Sequence, residues 1–193
     1  MQQIGLFFGT FNPIHNGHLI LANHFAEHTN LDQIWFVVTP QNPFKQKQSM
    51  LSNNHRLELV YRVTKEYPAL QPSTIEFNLP TPNYTCDTLI RLEEKYPDKK
   101  FALIIGEDNL ASFHKWKNYE VILERYPLYV YPRNEAETPS EALSKYKSIH
   151  LVDAPKIEVA SSQIREWIKA GKNVRPLLPQ ESWEYIDEMN FYK

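Results

Sequence analysis

The sequence predicts an α/β fold: a doubly wound, Rossmann-like parallel sheet with helices on both faces and a small helical appendage at its C-terminal end. Three observations carry this. Short apolar runs rich in aromatic and β-branched residues alternate with segments of helical period, the pattern of a parallel sheet covered by crossover helices. The longest of these runs, around Ile34 to Val38 and Phe101 to Ile105, are strand-sized and far too short to cross a bilayer. The 193 residues suffice for one full core and little more. We therefore expect one unit over residues 1–193, with about 156–193 forming a C-terminal helical subdomain.

The elements follow in order. Ile4 to Phe8 reads as the first strand, and a helix follows from about Gly17 to Glu27, with Leu21, Ala22, Phe25 and Ala26 at helical spacing. The second strand is Ile34 to Val38. After the long loop "TPQNPFKQKQSMLSNN", Asn53 and Asn54 give a cap signal for a helix carrying Leu57, Leu59, Val60 and Val63. A strand near Ser73 to Phe77 precedes the helix "YTCDTLIRLEEKY". The strand "KFALIIG" comes next, then a short helix after Glu107, the strand "PLYVYP" and a last strand in "SIHLVDAP". Two helices finish the chain, "SSQIREWIKAG" and "PQESWEYIDEM", separated where Gly171 and Pro176 break the pattern. Residues Arg133 to Ser140 form the most polar stretch and read as an exposed connection.

Composition narrows the function. Acidic and basic residues are mixed along the chain and nearly cancel, at a formal charge of −2. No extended basic face for nucleic acid or anionic lipid is evident, so a bound anion needs a local site. Cys86 is the only cysteine, which rules out an intramolecular disulfide and fits a reducing compartment. No signal-peptide pattern opens the sequence, and a cytoplasmic protein is expected, with no membrane partner.

In open parallel sheets, ligands bind beyond the carboxyl ends of the strands, near the point where strand order reverses. Four loops converge there: Gly9-Thr10-Phe11-Asn12-Pro13, the stretch from Asn42 to Lys47, Gly106-Glu107-Asp108, and Ala160-Ser161-Ser162. Gly9 permits close backbone approach, and the helix beginning near Gly17 aims free N–H groups at that space, an arrangement suited to phosphate. His18, Ala22 and Phe25 fall at i, i+4 and i+7, so His18 starts on the buried stripe, and His15 sits one turn earlier. Ser161 and Ser162 open another helix, with Arg165 expected in its first turn, an unfavourable place for a cation without an anion nearby. The sequence has no G-x-x-x-x-G-K-[ST] and no G-x-G-x-x-G, so neither the P-loop nor the dinucleotide fingerprint applies.

Taken together these residues become recognisable. "GTFNPIHNGH" with a later "SSQIR" resembles the nucleotidyltransferase superfamily marked by a strand followed by H-x-G-H, and within it the bacterial nicotinate-nucleotide adenylyltransferases. The likeness runs over nearly the whole chain: "GTFNPIHNGHL", "NPFK", "NYTCDTL", "IIGEDNLASFHKW" and "VASSQIREWIKAGKNVRPLLP" occur in the family's order. Three places depart from it. Asn12 stands where aspartate is common, "NPFK" replaces N-P-P-H-K, and Ala160 and Ser162 stand where serine and threonine are usual.

The resemblance implies attack of the 5′-phosphate of nicotinate mononucleotide on the α-phosphorus of ATP, giving deamido-NAD and pyrophosphate without a covalent intermediate. It implies His18, His15, Arg165 and Lys45 as the catalytic set, with His18 acting on the transition state. For ATP it points to Gly9, Thr10, Phe11, both histidines, Gly106, Asp108, Ser161, Ser162 and Arg165. For the mononucleotide it points to Thr10, Asn42, Lys45, Thr85 and Trp116, the last as a ring for stacking. Mg²⁺ is expected on phosphate oxygens, with no metal site made of protein side chains. Self-association is compatible with all of this.

Rival readings keep the chemistry and change the acceptor, to nicotinamide mononucleotide or phosphopantetheine, or keep only nucleotide binding, as in a sensor. His24 and His28 form an i, i+4 pair without a third ligand and read as helix-surface residues. Cys86, on an apolar helical face, reads as packing rather than as a nucleophile.

Overall fold

The description rests on a computed structural model and covers residues 1–40, 50–133, 143 and 145–193. Six strands run parallel in one sheet: β1 (Gln2–Gly9), β2 (Gln33–Val38), β3 (Leu70–Ser73), β4 (Lys99–Gly106), β5 (Leu128–Tyr131) and β6 (Ile149–Leu151). Their order across the sheet is β3-β2-β1-β4-β5-β6. The chain first winds outward from β1 through β2 to β3, then returns to lay β4 against the other side of β1. The reversal between β1 and β4 opens a crevice at their carboxyl ends, the place where doubly wound sheets take ligands.

Successive side chains of a strand point to opposite faces, and here the alternation divides the interior in two. Ile4 and Leu6 of β1, with Phe101, Leu103 and Ile105 of β4, enter one core, while Phe7, Ala102 and Ile104 enter the other. The first core is closed by α3 (Thr85–Lys95), α4 (Glu107–Ser112) and α5 (Tyr119–Arg125), through residues such as Leu89, Leu110 and Ile122. The second is closed by α1 (Asn16–His28), α2 (Asn53–Thr64), α6 (Ser161–Lys169) and α7 (Gln180–Glu188), through Phe25, Leu59, Ile164 and Ile186. Strands buried on both faces explain why their sequences read as continuous apolar runs. Cys86 lies in the first core at 6% exposure, as a packing thiol would.

Most elements fall within a residue or two of their expected bounds. The third strand does not: it is Leu70–Ser73 rather than Ser73 to Phe77, and Ile75–Asn78 forms a 3₁₀ turn. Pro72 is tolerated because β3 is an edge strand, where a missing N–H costs little of the ladder. Glu76 then turns inward, buried, and accepts the Thr88 hydroxyl at 2.8 Å, which draws this segment off the sheet and onto α3. The last strand is likewise short, covering only Ile149–Leu151 of "SIHLVDAP". Among the described residues no helix is long and apolar enough to cross a membrane.

Candidate active site

β1 ends at Gly9, and residues 10–15 turn the chain into α1. A Cβ on Gly9 would stand 2.8 Å from the Phe11 ring. The space that glycine leaves at its Cβ position is filled by Phe11, a residue held at φ 46° and fully buried. The Phe11 ring packs edge-on against His18, centroid to centroid 5.1 Å, and against Phe36. Its side chain thus supports a histidine from the core side.

His15 caps α1 with extended backbone, and His18 is the third residue of the helix. The backbone N–H of His15 donates to His18 Nδ1 at 3.2 Å, and the His18 N–H donates to the His15 carbonyl at 2.9 Å. With Nδ1 accepting, the neutral ring carries its proton on Nε2, ready to donate. The two imidazoles stack at 3.7 Å and 25°. The glycine between them has a local cause: a Cβ on Gly17 would lie 2.9 Å from Ile157 and 3.0 Å from His15 Nδ1. Burial, reinforced by the Arg133 guanidinium, lowers the pKa of His15 to about 4. Burial, then His15, then Arg133 hold His18 well below the usual imidazole range. At neutral pH both rings are uncharged donors.

A cavity of about 310 Å³ opens over this pair at the β1/β4 reversal. His15, His18, Asn109, Arg133, Ala160 and Ser161 are among the groups that line it. Arg133 donates from Nη1 to the Ile157 carbonyl at 3.3 Å and from Nη2 to the Tyr131 hydroxyl at 3.4 Å. Its Nε lies 3.9 Å from Asp108. From sequence this residue belongs to the polar stretch that reads as an exposed connection. Its signal was its position directly beyond the carboxyl end of β5, the same rim that supplied the other candidates. Asp108 also folds over Gly106, where a Cβ would push its carboxylate aside. Gly106 and Asp108 are thus brought together with the histidine side of the crevice.

α6 faces the turn from the other end of the chain. Ser161 is its first residue, and its hydroxyl donates to the Pro13 carbonyl at 2.9 Å. Arg165 stands just past the first turn, not within it, because the helix starts no earlier than Ser161. Its Nη1 donates to the Asn12 carbonyl at 2.7 Å, and its Nε is buried without a hydrogen-bond partner. Ser162 and Arg165 line a second cavity of about 550 Å³ with Tyr192 and Lys169. The start of α6, with its free N–H groups, therefore stands between two openings.

Beneath the rim lies Arg56, which is fully buried. Its guanidinium donates to the carbonyls of Thr10 (2.7 Å), Thr39 (2.8 Å) and Leu51 (3.1 Å), and to Asn53 Oδ1 (2.7 Å). Burial lowers its pKa to about 10, so it remains cationic at neutral pH. It ties the ends of β1 and β2 to the head of α2. Thr10 itself is exposed at the rim. Asn42 and Lys45 lie outside the described residues. Thr85 begins α3, and Trp116 follows α4, packed on Phe113 at 4.6 Å. The two segments are tied by Lys117, whose ammonium meets Asp87 of α3 at 2.9 Å and lies over the Tyr84 ring.

A parallel sheet of this order, with paired imidazoles at the first turn and an arginine-bearing helix bonded to that turn, defines an α/β nucleotidyltransferase. The family model described as cytidylyltransferase-like matches residues 6–167. The probable nicotinate-nucleotide adenylyltransferase of Flavobacterium johnsoniae is 56% identical over 192 residues, covering 100% of both chains. That of Christiangramia forsetii is 57% identical over 192 residues, covering 100% of this chain and 99% of its own. The chain belongs to the nicotinate-nucleotide adenylyltransferase family. In fold it is similar to the Plasmodium falciparum nicotinic acid mononucleotide adenylyltransferase complexed with NaAD, with a TM-score of 0.81 over 100% of this chain and 98% of that one, at 17% identity.

Proposed function

We propose that the protein transfers the adenylyl group of ATP to nicotinate mononucleotide, forming nicotinate adenine dinucleotide and pyrophosphate. The observation that carries the chemistry is the His15–His18 stack, in which the His15 N–H fixes the His18 ring so that Nε2 is the donor. The names of the full-length relatives support the choice of acceptor.

The nucleophile is an ionised phosphate and needs no general base. One of its oxygens forms a bond to the α-phosphorus while the bond to the bridging oxygen breaks, and the electron pair leaves with pyrophosphate. The protein's work is alignment of two anions and stabilisation of the charge that develops on phosphoryl oxygens. His18 Nε2–H and His15 donate to phosphate oxygens. As uncharged rings they donate without first taking a proton from solvent. Arg165 and the N–H groups at the head of α6 hold the outer phosphates, and Arg133 adds positive charge beside the histidines. Gly106 and Asp108 suit the adenosine, while Thr85 and Trp116 suit the pyridine ring.

Mg²⁺ would be carried on the phosphate oxygens of ATP. When bound it would neutralise phosphate charge. A reducing, ATP-supplied compartment such as the cytoplasm suits these substrates and the single thiol.

The test is pyrophosphate release with ATP and Mg²⁺, run in parallel with nicotinate and nicotinamide mononucleotides. We expect a higher kcat/KM for the acid. His18→Ala should lose about 10²- to 10³-fold in kcat, the scale for a lost transition-state donor. A folded protein inactive with both acceptors would overturn the assignment.

A further inference from the structure

Asn12 stands where its family commonly has aspartate, and its surroundings give it a defined part. It is buried, at 2% exposure. Its Oδ1 accepts from the Leu51 N–H at 3.1 Å and from the Tyr192 hydroxyl at 2.7 Å. Its carbonyl accepts from Arg165 Nη1. One residue of the first turn therefore joins the C-terminal tail to the arginine of α6. The neighbouring residues are gripped in the same way: Pro13 by Ser161, Ile14 by the Ser182 hydroxyl at 3.3 Å, and Asn16 through its bond to the Pro176 carbonyl at 3.0 Å.

The tail does not reach Asn12 by default. Tyr192 takes a left-handed backbone, φ 66°, an unfavourable region for a bulky residue unless its surroundings hold it there. Its side chain lies beside the guanidinium groups of Arg165 and Arg56 and lines the same cavity as Arg165 and Ser162. The hydroxyl thus stands one hydrogen bond from Asn12, and Asn12 one hydrogen bond from the phosphate-facing arginine.

We propose that Tyr192 is a positioning residue of the adenylyl-transfer reaction: by donating to Asn12 it fixes the carbonyl that orients Arg165 toward the outer phosphates of ATP. The proposal rests on the adenylyltransferase reading of the site. It differs from a purely structural role for the tail in one consequence. A structural tail would affect folding alone, whereas this one acts on the triphosphate and not on the acceptor.

The experiment is a double-mutant cycle of Tyr192→Phe, which removes only the hydroxyl, and Arg165→Lys, which keeps the charge and alters the bond to Asn12. The full chain is used throughout. For Tyr192→Phe alone we expect kcat/KM for ATP to fall about tenfold. The KM for nicotinate mononucleotide should stay within about twofold, and the melting temperature within about 4 °C, the scale of one lost hydrogen bond. In the Arg165→Lys background the same change should cost less than about twofold. The dissociation constant of Mg-ATP, measured by calorimetry without acceptor, should rise in Tyr192→Phe relative to wild type, and should not rise when the same change is added to Arg165→Lys. This binding arm keeps the two readings apart: wild type without turnover defeats the reaction, whereas ATP binding still judges Tyr192. An unchanged Tyr192→Phe, or an undiminished loss in the Arg165→Lys background, overturns the proposal.

Discussion

His18 shows how much a single residue's surroundings decide. The imidazole is made a neutral donor by burial, by a stacked partner and by a nearby guanidinium, and its tautomer is set by one backbone N–H. The identity of the residue was legible in the sequence, but its protonation was not, because Arg133 comes from a strand end more than a hundred positions away. Glu76 offers a test at the same scale. Burial pushes its pKa up against the pull of the Thr88 and Thr39 hydroxyls. The folded state thus holds the proton more tightly than the unfolded chain. Stability therefore falls as pH rises from the ordinary carboxyl range through the raised value, then stays level. Glu76→Gln keeps an acceptor for Thr88 without the charge and should stabilise the protein by about 1 kcal/mol at pH 7. Denaturant unfolding at pH 7 and pH 4 checks this, with the gain disappearing at the lower pH.

Among the elements, α1 carries the clearest conflict between local preference and function. Its second residue is Gly17, and alanine there would favour the helix by roughly 1 kcal/mol on propensity alone. The contacts oppose this, because a Cβ would press on Ile157 and His15. Gly17→Ala should leave the helix formed while displacing the His15 ring, lowering kcat/KM at least about tenfold through a misplaced donor. Circular dichroism and steady-state kinetics separate the two effects. The strand and helix pattern was readable because the apolar periods are strong. The third strand was misplaced because Pro72 and Glu76 obey tertiary demands, an edge position and a buried bond to Thr88, that no local period encodes. The packing of Phe11 was not legible for a similar reason: no local period shows that its ring fills the space over Gly9.

For the whole molecule, the two cores lie on opposite faces of one sheet, and the crevice sits where the winding reverses between them. The core closed by α1, α2, α6 and α7 also contains the surroundings of the histidine pair, so acid acts on fold and site together. His15 and His18 titrate lower in the folded state than their ordinary 6.5. Their contribution to stability is complete above that value and is lost as pH falls from about 6.5 through about 4. Thermal unfolding from pH 7.5 to 4 should show a decline in melting temperature over this window, and His15→Gln should flatten it. The α6 and α7 cradle also fixes an order of events. The first turn of the chain takes its bonds from Ser161, Arg165, Ser182 and Tyr192, between 148 and 180 positions later. During synthesis the histidine turn leaves the ribosome well before these partners do. The β1–β2 segment can collapse while the chain is still growing, but the bonds of the histidine turn are complete only once Tyr192 has left the exit tunnel.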